Sequence, residues 1–183
     1  MDRLLIPAAA ALATLLGGAA AVTGAASPAA RDTIPPALSP FGTEHNMLRG
    51  GFAAALARAV APAAPRAERE AFVAFLRGNV IPHAQVEERV LYPALDSVLG
   101  TRGYATATMV LDHRAIARLT IELATLATGQ PEAFRDRALM VQALVENHFA
   151  KEEDFVLPNL ARKMTDRELR ALLARMDKER IAQ

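Results

Sequence analysis

The amino-acid sequence predicts an all-α protein: an up-down-up-down four-helix bundle with a short C-terminal fifth helix. Hydrophobic residues make up 52% of the 183 residues, and most of them are Ala and Leu, which favour helices. No stretch alternates polar and apolar residues with the β-branched enrichment that is typical of strands. The helical segments are joined by short connections, so we expect neighbouring helices to pack antiparallel.

The charge balance and the lack of cysteine exclude several classes of function. Lys and Arg number 21 and Asp and Glu number 20, which gives a formal net charge of +1. These charges form no basic stripe, so no nucleic-acid partner is expected. A chain without Cys has no disulfide, no thiolate metal site and no cysteine nucleophile.

The first 26 residues are predicted to be a signal peptide or an N-terminal membrane anchor. After Arg3, residues 4–26 carry no charge and end in small side chains, as secretory leaders do. The run is also long enough to span a membrane, although Pro7 and the Gly17-Gly18 pair weaken it as a helix. Both interpretations predict an exported protein, periplasmic or extracytoplasmic, which stays membrane-anchored if the leader is not cleaved.

The rest of the chain is divided by turn signals. Residues 27–40 hold four Pro and are predicted to be a linker, and residues 41–180 to be one helical domain. Pro82 should kink the second helix or interrupt one of its turns, and Thr165 and Glu168 have capping-box spacing at the start of the fifth. The expected helices cover about residues 43–61, 66–99, 101–129, 131–158 and 165–179. Thr43 is the expected N-cap of the first, and Pro131 lies in the first turn of the fourth. Pro62, Gly100 and Gly129 are expected to end the first three helices.

Two stretches of the sequence echo each other. His83 is followed by Glu87-Glu88 and Pro93, and His148 by Glu152-Glu153 and Pro158, at the same offsets. The spacing i, i+4 places each His and the first Glu of each pair on one helix face, and that face is apolar. A glutamate on a core face is costly unless it is paired or bound to a metal.

The other two histidines of the chain, His45 and His113, lie on the apolar faces of the first and third helices. A lone His on such a face is more often a core residue that is hydrogen-bonded to a carbonyl or carboxylate. The His-x-x-x-Glu pairs would be surface salt bridges if the helical phase were wrong by one position. Taken together, however, the pattern predicts a metal site with the ligands His45, His83, Glu87, His113, His148 and Glu152, and with no catalytic residue assigned.

These six donors contain no sulfur, which suits iron, manganese or zinc, and they exceed what one tetrahedral zinc ion uses. If both glutamates bridge, each of two ions receives two His and two carboxylate oxygens. Positions then stay open for solvent and for a small diatomic ligand.

The same residues resemble the hemerythrin-like, HHE cation-binding family over about residues 40–160. The resemblance includes the Glu44-His45 and Asp112-His113 pairs and both His-x-x-x-Glu-Glu runs. It implies two non-haem iron ions of the Fe–O–Fe type, bridged by carboxylates in a four-helix bundle. It also implies a role in O₂ or NO binding, sensing, iron handling or nitrosative-stress defence.

The sequence departs from the oxygen-carrying members at two positions. They have a fifth histidine, whereas Met109 and Ala117 stand one turn before and after His113. They also place an Asp one residue beyond the position of Glu152. Both differences favour the broader four-histidine branch over reversible O₂ transport, and ferritin-like proteins fit less well because they use Glu-x-x-His.

The sequence therefore predicts an exported di-iron protein that binds or senses O₂ or NO, or that handles iron. Two alternatives remain: a di-iron enzyme that reduces O₂, peroxide or NO, and a structural or buffering bundle that holds zinc or manganese. Four nearby polar residues are not assigned a role. Glu88 and Glu153 are either hydrogen-bond partners of the ligands or part of a solvated helix face, and the solvated face is the commoner arrangement. Asp154 is left without a role, and Tyr92 falls off the stripe of the second-helix ligands.

Overall fold

The computed structural model describes residues 36–182, which are almost entirely helical and include no strand. After a 3₁₀ turn at Pro36–Leu38, the helices are α1 (Ser39–Ala59), α2 (residues 66–99), α3 (Ala107–Leu126), α4 (residues 131–163) and α5 (Asp166–Ile181). The predicted all-α class is confirmed, and the arrangement is consistent with a helical bundle. The predicted leader, 1–26, and residues 27–35 of the predicted linker lie outside the described residues. Within 36–182, no helix is both long enough and apolar enough to cross a membrane.

Helices α2 and α4 each contain wide π-helical turns between α-helical segments. The α-helical parts of α2 are Arg66–Phe75, Ile81–Val86 and Tyr92–Leu99, and its π turns are Leu76–Val80 and Glu87–Leu91. In α4 the α-helical parts are Pro131–Lys151 and Leu157–Lys163, and the π turn is Glu152–Val156. Two of these three turns begin at a predicted metal ligand.

Each π turn precedes a proline by the same distance. Pro82, Pro93 and Pro158 each lie six residues after the first residue of a π turn. Proline has no N–H, and its ring crowds the carbonyl four residues back, so a regular α-helix would be strained there. In each case the residue before the proline donates its N–H to the carbonyl five residues back, which widens the helix and keeps it continuous.

The π turns bear on two sequence predictions: where the fourth helix ends and how Pro82 affects the second helix. The expectation that the fourth helix fades near Pro158 is wrong, because α4 continues to Lys163. The expected interruption at Pro82 is one wide turn in a continuous helix. On α4 the extra residue also shifts the buried face, so that Val156 is fully buried and Phe155 is exposed.

The first and third helices begin at other residues than expected. Helix α1 begins at Ser39, four residues before the predicted cap at Thr43. Helix α3 begins at Ala107, because residues 100–106 form a loop that is organised by the buried carboxylate of Asp96. This carboxylate accepts hydrogen bonds from Thr101 Oγ1 (2.5 Å), Ala105 N (3.2 Å) and Thr106 Oγ1 (2.5 Å).

Between α1 and α2, residues further along one helix contact residues that come earlier on the other. The ring centroids of His45 on α1 and His83 on α2 are 5.2 Å apart, and those of Phe52 and Phe72 are also 5.2 Å apart. The same order holds between α3 and α4 for the pairs His113 with His148 and Glu122 with Arg137.

Two apolar clusters lie on either side of the layer that holds the histidines. One cluster is formed by α1, α2, α3 and α4 and includes Phe52, Phe72, Leu123, Phe134 and Phe149. The other includes Leu38, Leu95, Leu157, Leu169 and Leu172 and is completed by α5. Helix α5 opens with the predicted capping box, in which Thr165 and Glu168 bond each other's backbone N–H groups.

The loop before α3 provides a stability test. Asp96→Ala removes the acceptor of three hydrogen bonds and leaves the buried Thr106 hydroxyl without this partner. We expect the free energy of unfolding to fall by about 1–3 kcal/mol in urea denaturation. The exposed Asp136 on α4 provides the matched control, and Asp136→Ala should change stability by less than about 0.5 kcal/mol. Equal effects of the two substitutions would contradict the role of Asp96.

Candidate metal centre

All six predicted ligands meet in one buried layer between the two apolar clusters. None of these six side chains is more than 5% exposed: His45, His83, Glu87, His113, His148 and Glu152. They come from four helices, with α1 and α3 contributing one His each and α2 and α4 contributing a His-x-x-x-Glu pair each. Their donor atoms form two groups that are each compact enough to hold a metal ion, one with His45, His83, Glu87 and Glu152, and one with Glu87, His113 and His148.

The carboxylate of Glu87 lies between the two pairs of histidines. Its Oε1 is 2.7 Å from His83 Nε2 and 3.8 Å from His45 Nε2. Its Oε2 is 3.4 Å from His113 Nε2 and 3.9 Å from His148 Nε2. One oxygen therefore faces each pair, which is the geometry of a bridging carboxylate.

The carboxylate of Glu152 also reaches both histidine pairs, but through one oxygen. Its Oε2 is 3.3 Å from His45 Nε2 and 3.6 Å from His148 Nε2. Its Oε1 accepts a hydrogen bond of 2.7 Å from the hydroxyl of Tyr92. The two glutamates thus differ in their surroundings, although both lie between the histidine pairs.

Four further carboxylates hold the histidines from outside, and they form a closed ring. The Nδ1 atoms of His45, His83, His113 and His148 face Glu153 (3.1 Å), Glu44 (3.1 Å), Glu88 (2.9 Å) and Asp112 (3.3 Å), respectively. Each of these carboxylates is the chain neighbour of a predicted ligand. The acid on α1 serves the histidine on α2, and the order continues through α3 and α4 back to α1. We call these four residues the carboxylate ring.

The carboxylate ring determines which atoms face the centre. A carboxylate that accepts the Nδ1–H bond places the imidazole lone pair on Nε2, which points inward. Among the described residues, five of the inward atoms are buried without a hydrogen-bond partner: His45 Nε2, His83 Nε2, both Glu87 oxygens and Glu152 Oε2. Lone pairs that face lone pairs in a buried space require a cation between them. The residues present therefore fit a metal centre.

The pKa values of the cluster support the same conclusion. Burial lowers the pKa of His83, but the charge of Glu87 and the hydrogen bond to Glu44 outweigh it and raise this pKa to about 9. Burial raises the pKa of Glu87, but the surrounding histidines hold it well below its usual range. The cluster attracts positive charge, and metal ions would displace the protons that otherwise supply it.

Cations outside the ring neutralise most of its members. Arg49 donates two hydrogen bonds to Glu153, at 2.7 and 3.0 Å. Burial raises the pKa of the Glu153 carboxyl, but its hydrogen bonds with His45 and Arg49 outweigh burial and lower this pKa to about 2. The ammonium group of Lys151 donates one hydrogen bond to Asp112. Arg180 donates to Glu44 at 2.7 Å, so α5 takes part in holding the ring.

For two members of the ring, Glu88 and Glu153, the sequence leaves two alternatives open: partners of the ligands or a solvated helix face. The structure decides for the first alternative, because each carboxylate holds a histidine on another helix, although the side chain of Glu88 is also 39% exposed. Their direct succession to Glu87 and Glu152 was the available signal. Asp154, to which the sequence assigns no role, is exposed.

Tyr92 is the residue whose place at the site the sequence did not predict. Its hydroxyl lies 3.3 Å from both His113 Nε2 and His148 Nε2, and the side chain is buried. On a regular helix, a residue five positions after Glu87 points elsewhere. In the π turn that begins at Glu87 it returns to the same face, and Pro93 was the signal for this turn.

A cleft of about 690 Å³ opens beside these residues at the junction of α2 and α3. Glu88 and Tyr92 line it, together with Asp96, Arg102 and Val110. Tyr92 therefore separates this cleft from the histidine pair His113 and His148.

The carboxylate ring can be tested at Glu88, the member for which no additional cation partner is found among the described residues. Glu88→Ala removes the acceptor for His113 Nδ1–H, and we expect metal affinity to fall about 10–100-fold. Glu88→Gln keeps an acceptor without the charge and should give an intermediate affinity. Glu70→Ala, at an exposed position on the same helix, is the control. Competition with a chelator measures the affinity, and equal values for all three variants and the wild type would contradict the role of the ring.

Comparison with known proteins agrees with the geometry of the site. The model of the hemerythrin HHE cation-binding domain matches residues 38–160 and, in a second overlapping match, residues 104–182. No curated protein and no solved structure matched the chain. The matched region contains the six clustered residues and the whole carboxylate ring, and it covers well over half of the chain. The chain therefore belongs to the hemerythrin HHE cation-binding family.

Proposed function

We propose that this protein is an exported di-iron protein that binds or senses a small diatomic ligand, O₂ or NO. The observation that carries the proposal is the pair of shared, fully buried carboxylates between two histidine pairs, with inward lone pairs that lack partners. Nitrogen and oxygen donors of this kind suit iron, and also zinc and manganese. Iron would supply a redox-active centre, and the residues around it would supply binding, orientation and charge balance.

The number and burial of the donors favour a small ligand. Each ion would receive two imidazoles and at most two carboxylate oxygens from Glu87 and Glu152, so coordination positions remain for a further ligand. The six side chains are at most 5% exposed, which leaves little room for a larger substrate at the ions. A diatomic gas fits both constraints.

We also propose that the four long helices run up-down-up-down. The reversed order of contacts between α1 and α2 and between α3 and α4 supports this topology. It places one ligand-bearing segment of each helix at the same level of the bundle, which the shared centre requires.

Loading the full-length protein with iron(II) without oxygen, followed by O₂ or NO, tests the function. We expect about two iron ions per chain and a visible absorption band that depends on the added gas. Gas uptake should stop at the stoichiometry of the bound iron, because the protein binds and does not turn over. About one metal ion per chain, or a preference for zinc alone, would contradict the di-iron proposal. Stabilisation by zinc or manganese without gas chemistry would instead favour the buffering bundle, and continued consumption with a reductant would favour the enzyme.

Substitution of the two shared carboxylates tests whether they bridge the metal ions, and a substitution at Glu70 is the matched control. Glu87→Gln and Glu152→Gln each remove a charge between the two histidine pairs and should lower the iron content. Glu70→Gln removes a charge from an exposed position on α2 and should leave the iron content unchanged. Equal occupancy in all three variants would contradict the bridging assignment.

Export is a separate part of the proposal, and the uncharged run of residues 4–26 after Arg3 supports it. Intact-mass measurement of the protein from the cell envelope and the external medium tests it. We expect a mature chain that begins after the small residues near position 26. Recovery of the full-length chain only from the membrane would indicate an anchor, and recovery only from the cytoplasm would contradict export.

A further inference from the structure

We propose that Tyr92 is itself a ligand, and that its phenolic oxygen binds the metal ion held by His113 and His148. The inference rests on the proposed di-iron function and adds a seventh protein donor. It makes the two ions unequal, because the other ion has only imidazole and carboxylate donors.

The distances around Tyr92 are those of neighbouring donors on one ion. The hydroxyl oxygen is 3.3 Å from each of the two Nε2 atoms, and these nitrogens are 2.8 Å from each other. Donors with bonds of about 2.1 Å lie about 3.0 Å apart in octahedral geometry and about 3.4 Å apart in tetrahedral geometry. The three atoms therefore form one face of a coordination sphere.

Once both imidazoles are neutral, as metal binding requires, hydrogen bonding does not account for this arrangement. The phenol has one O–H, and it donates to Glu152 Oε1 at 2.7 Å. The Nδ1 atoms of His113 and His148 face Glu88 and Asp112, so their Nε2 atoms present lone pairs. The oxygen of Tyr92 thus turns its own lone pairs towards two nitrogen lone pairs, and a cation at this point would satisfy all three atoms.

Helix α3 offers little competition for this coordination position. The residue one turn before His113 is Met109, whose sulfur accepts a hydrogen bond from Thr108 Oγ1 at 3.3 Å. The residue one turn after it is Ala117, which has no donor atom. Tyr92 reaches the same ion from α2, because the π turn that starts at Glu87 rotates it onto the ligand face.

The chain is well suited to a decisive test, because it contains only two tyrosines. When iron(III) binds, the O–H bond of Tyr92 breaks, an iron–oxygen bond forms and the proton is released to solvent. Iron(III) phenolates have a visible charge-transfer band, and resonance Raman excitation within it enhances the ring vibrations. Tyr104, which is 87% exposed, is the matched control, and Tyr104→Phe leaves Tyr92 as the only tyrosine.

We expect oxidised, iron-loaded wild-type protein and Tyr104→Phe to show the same phenolate band, with ring modes that shift when the tyrosine is ring-deuterated. Tyr92→Phe should lose the band and should release one of its two iron ions about 10–100-fold more readily to a chelator. Two iron ions per chain in Tyr104→Phe without a phenolate band would overturn the role of Tyr92 and leave the proposed function intact. Fewer than two iron ions in the wild type would overturn both, and this outcome does not depend on the folding of Tyr92→Phe.

Discussion

Two carboxylates, Glu87 and Glu152, are buried completely, and the rest of the structure is arranged around their charge. Transfer of one carboxylate from water to a dry interior costs on the order of 20 kcal/mol in the ideal case, and several kcal/mol remain after relaxation. Four imidazoles, a carboxylate ring and an outer set of cations surround this charge in alternating layers. Arg49, Lys151 and Arg180 form the outermost layer and tie α1, α4 and α5 to it. The bundle is therefore organised by charge as much as by its two apolar clusters.

The wide helical turns give this charge arrangement its geometry. Glu87 and Glu152 are each the first residue of a π turn that a later proline requires. An extra residue in the turn changes the direction of the side chains that follow by about 100°, since an α-helix turns by that angle per residue. On α2 this rotation brings Tyr92 to the centre, and on α4 it buries Val156 in place of Phe155. The prolines thus act on the site through the helical turns that precede them.

The sequence predicts the helical class and the clustering of the six predicted ligands, because both follow from regular helical periodicity. A His and a Glu four positions apart lie on one face whatever the tertiary structure is. Tyr92 and the continuation of α4 past Pro158 were not predicted, because a strict period of 3.6 residues fails within a π turn. The roles of Glu88 and Glu153 stay open at the level of sequence for another reason: each bonds to a histidine on a different helix, and one helical wheel cannot show such a contact. The loop at 100–106 depends on three hydrogen bonds to Asp96, which likewise need the tertiary structure.

The carboxylate ring is not equally rigid on all sides. The side chain of Glu153 is 8% exposed and is clamped by Arg49, whereas that of Glu88 is 39% exposed. Within residues 36–182, no Lys or Arg forms a salt bridge with Glu88, and the cleft lined by Tyr92 opens beside it. Local opening requires least free energy where a structure has few buried contacts. The α2–α3 side of the carboxylate ring should therefore open to solvent at a lower cost in free energy than the side between α1 and α4.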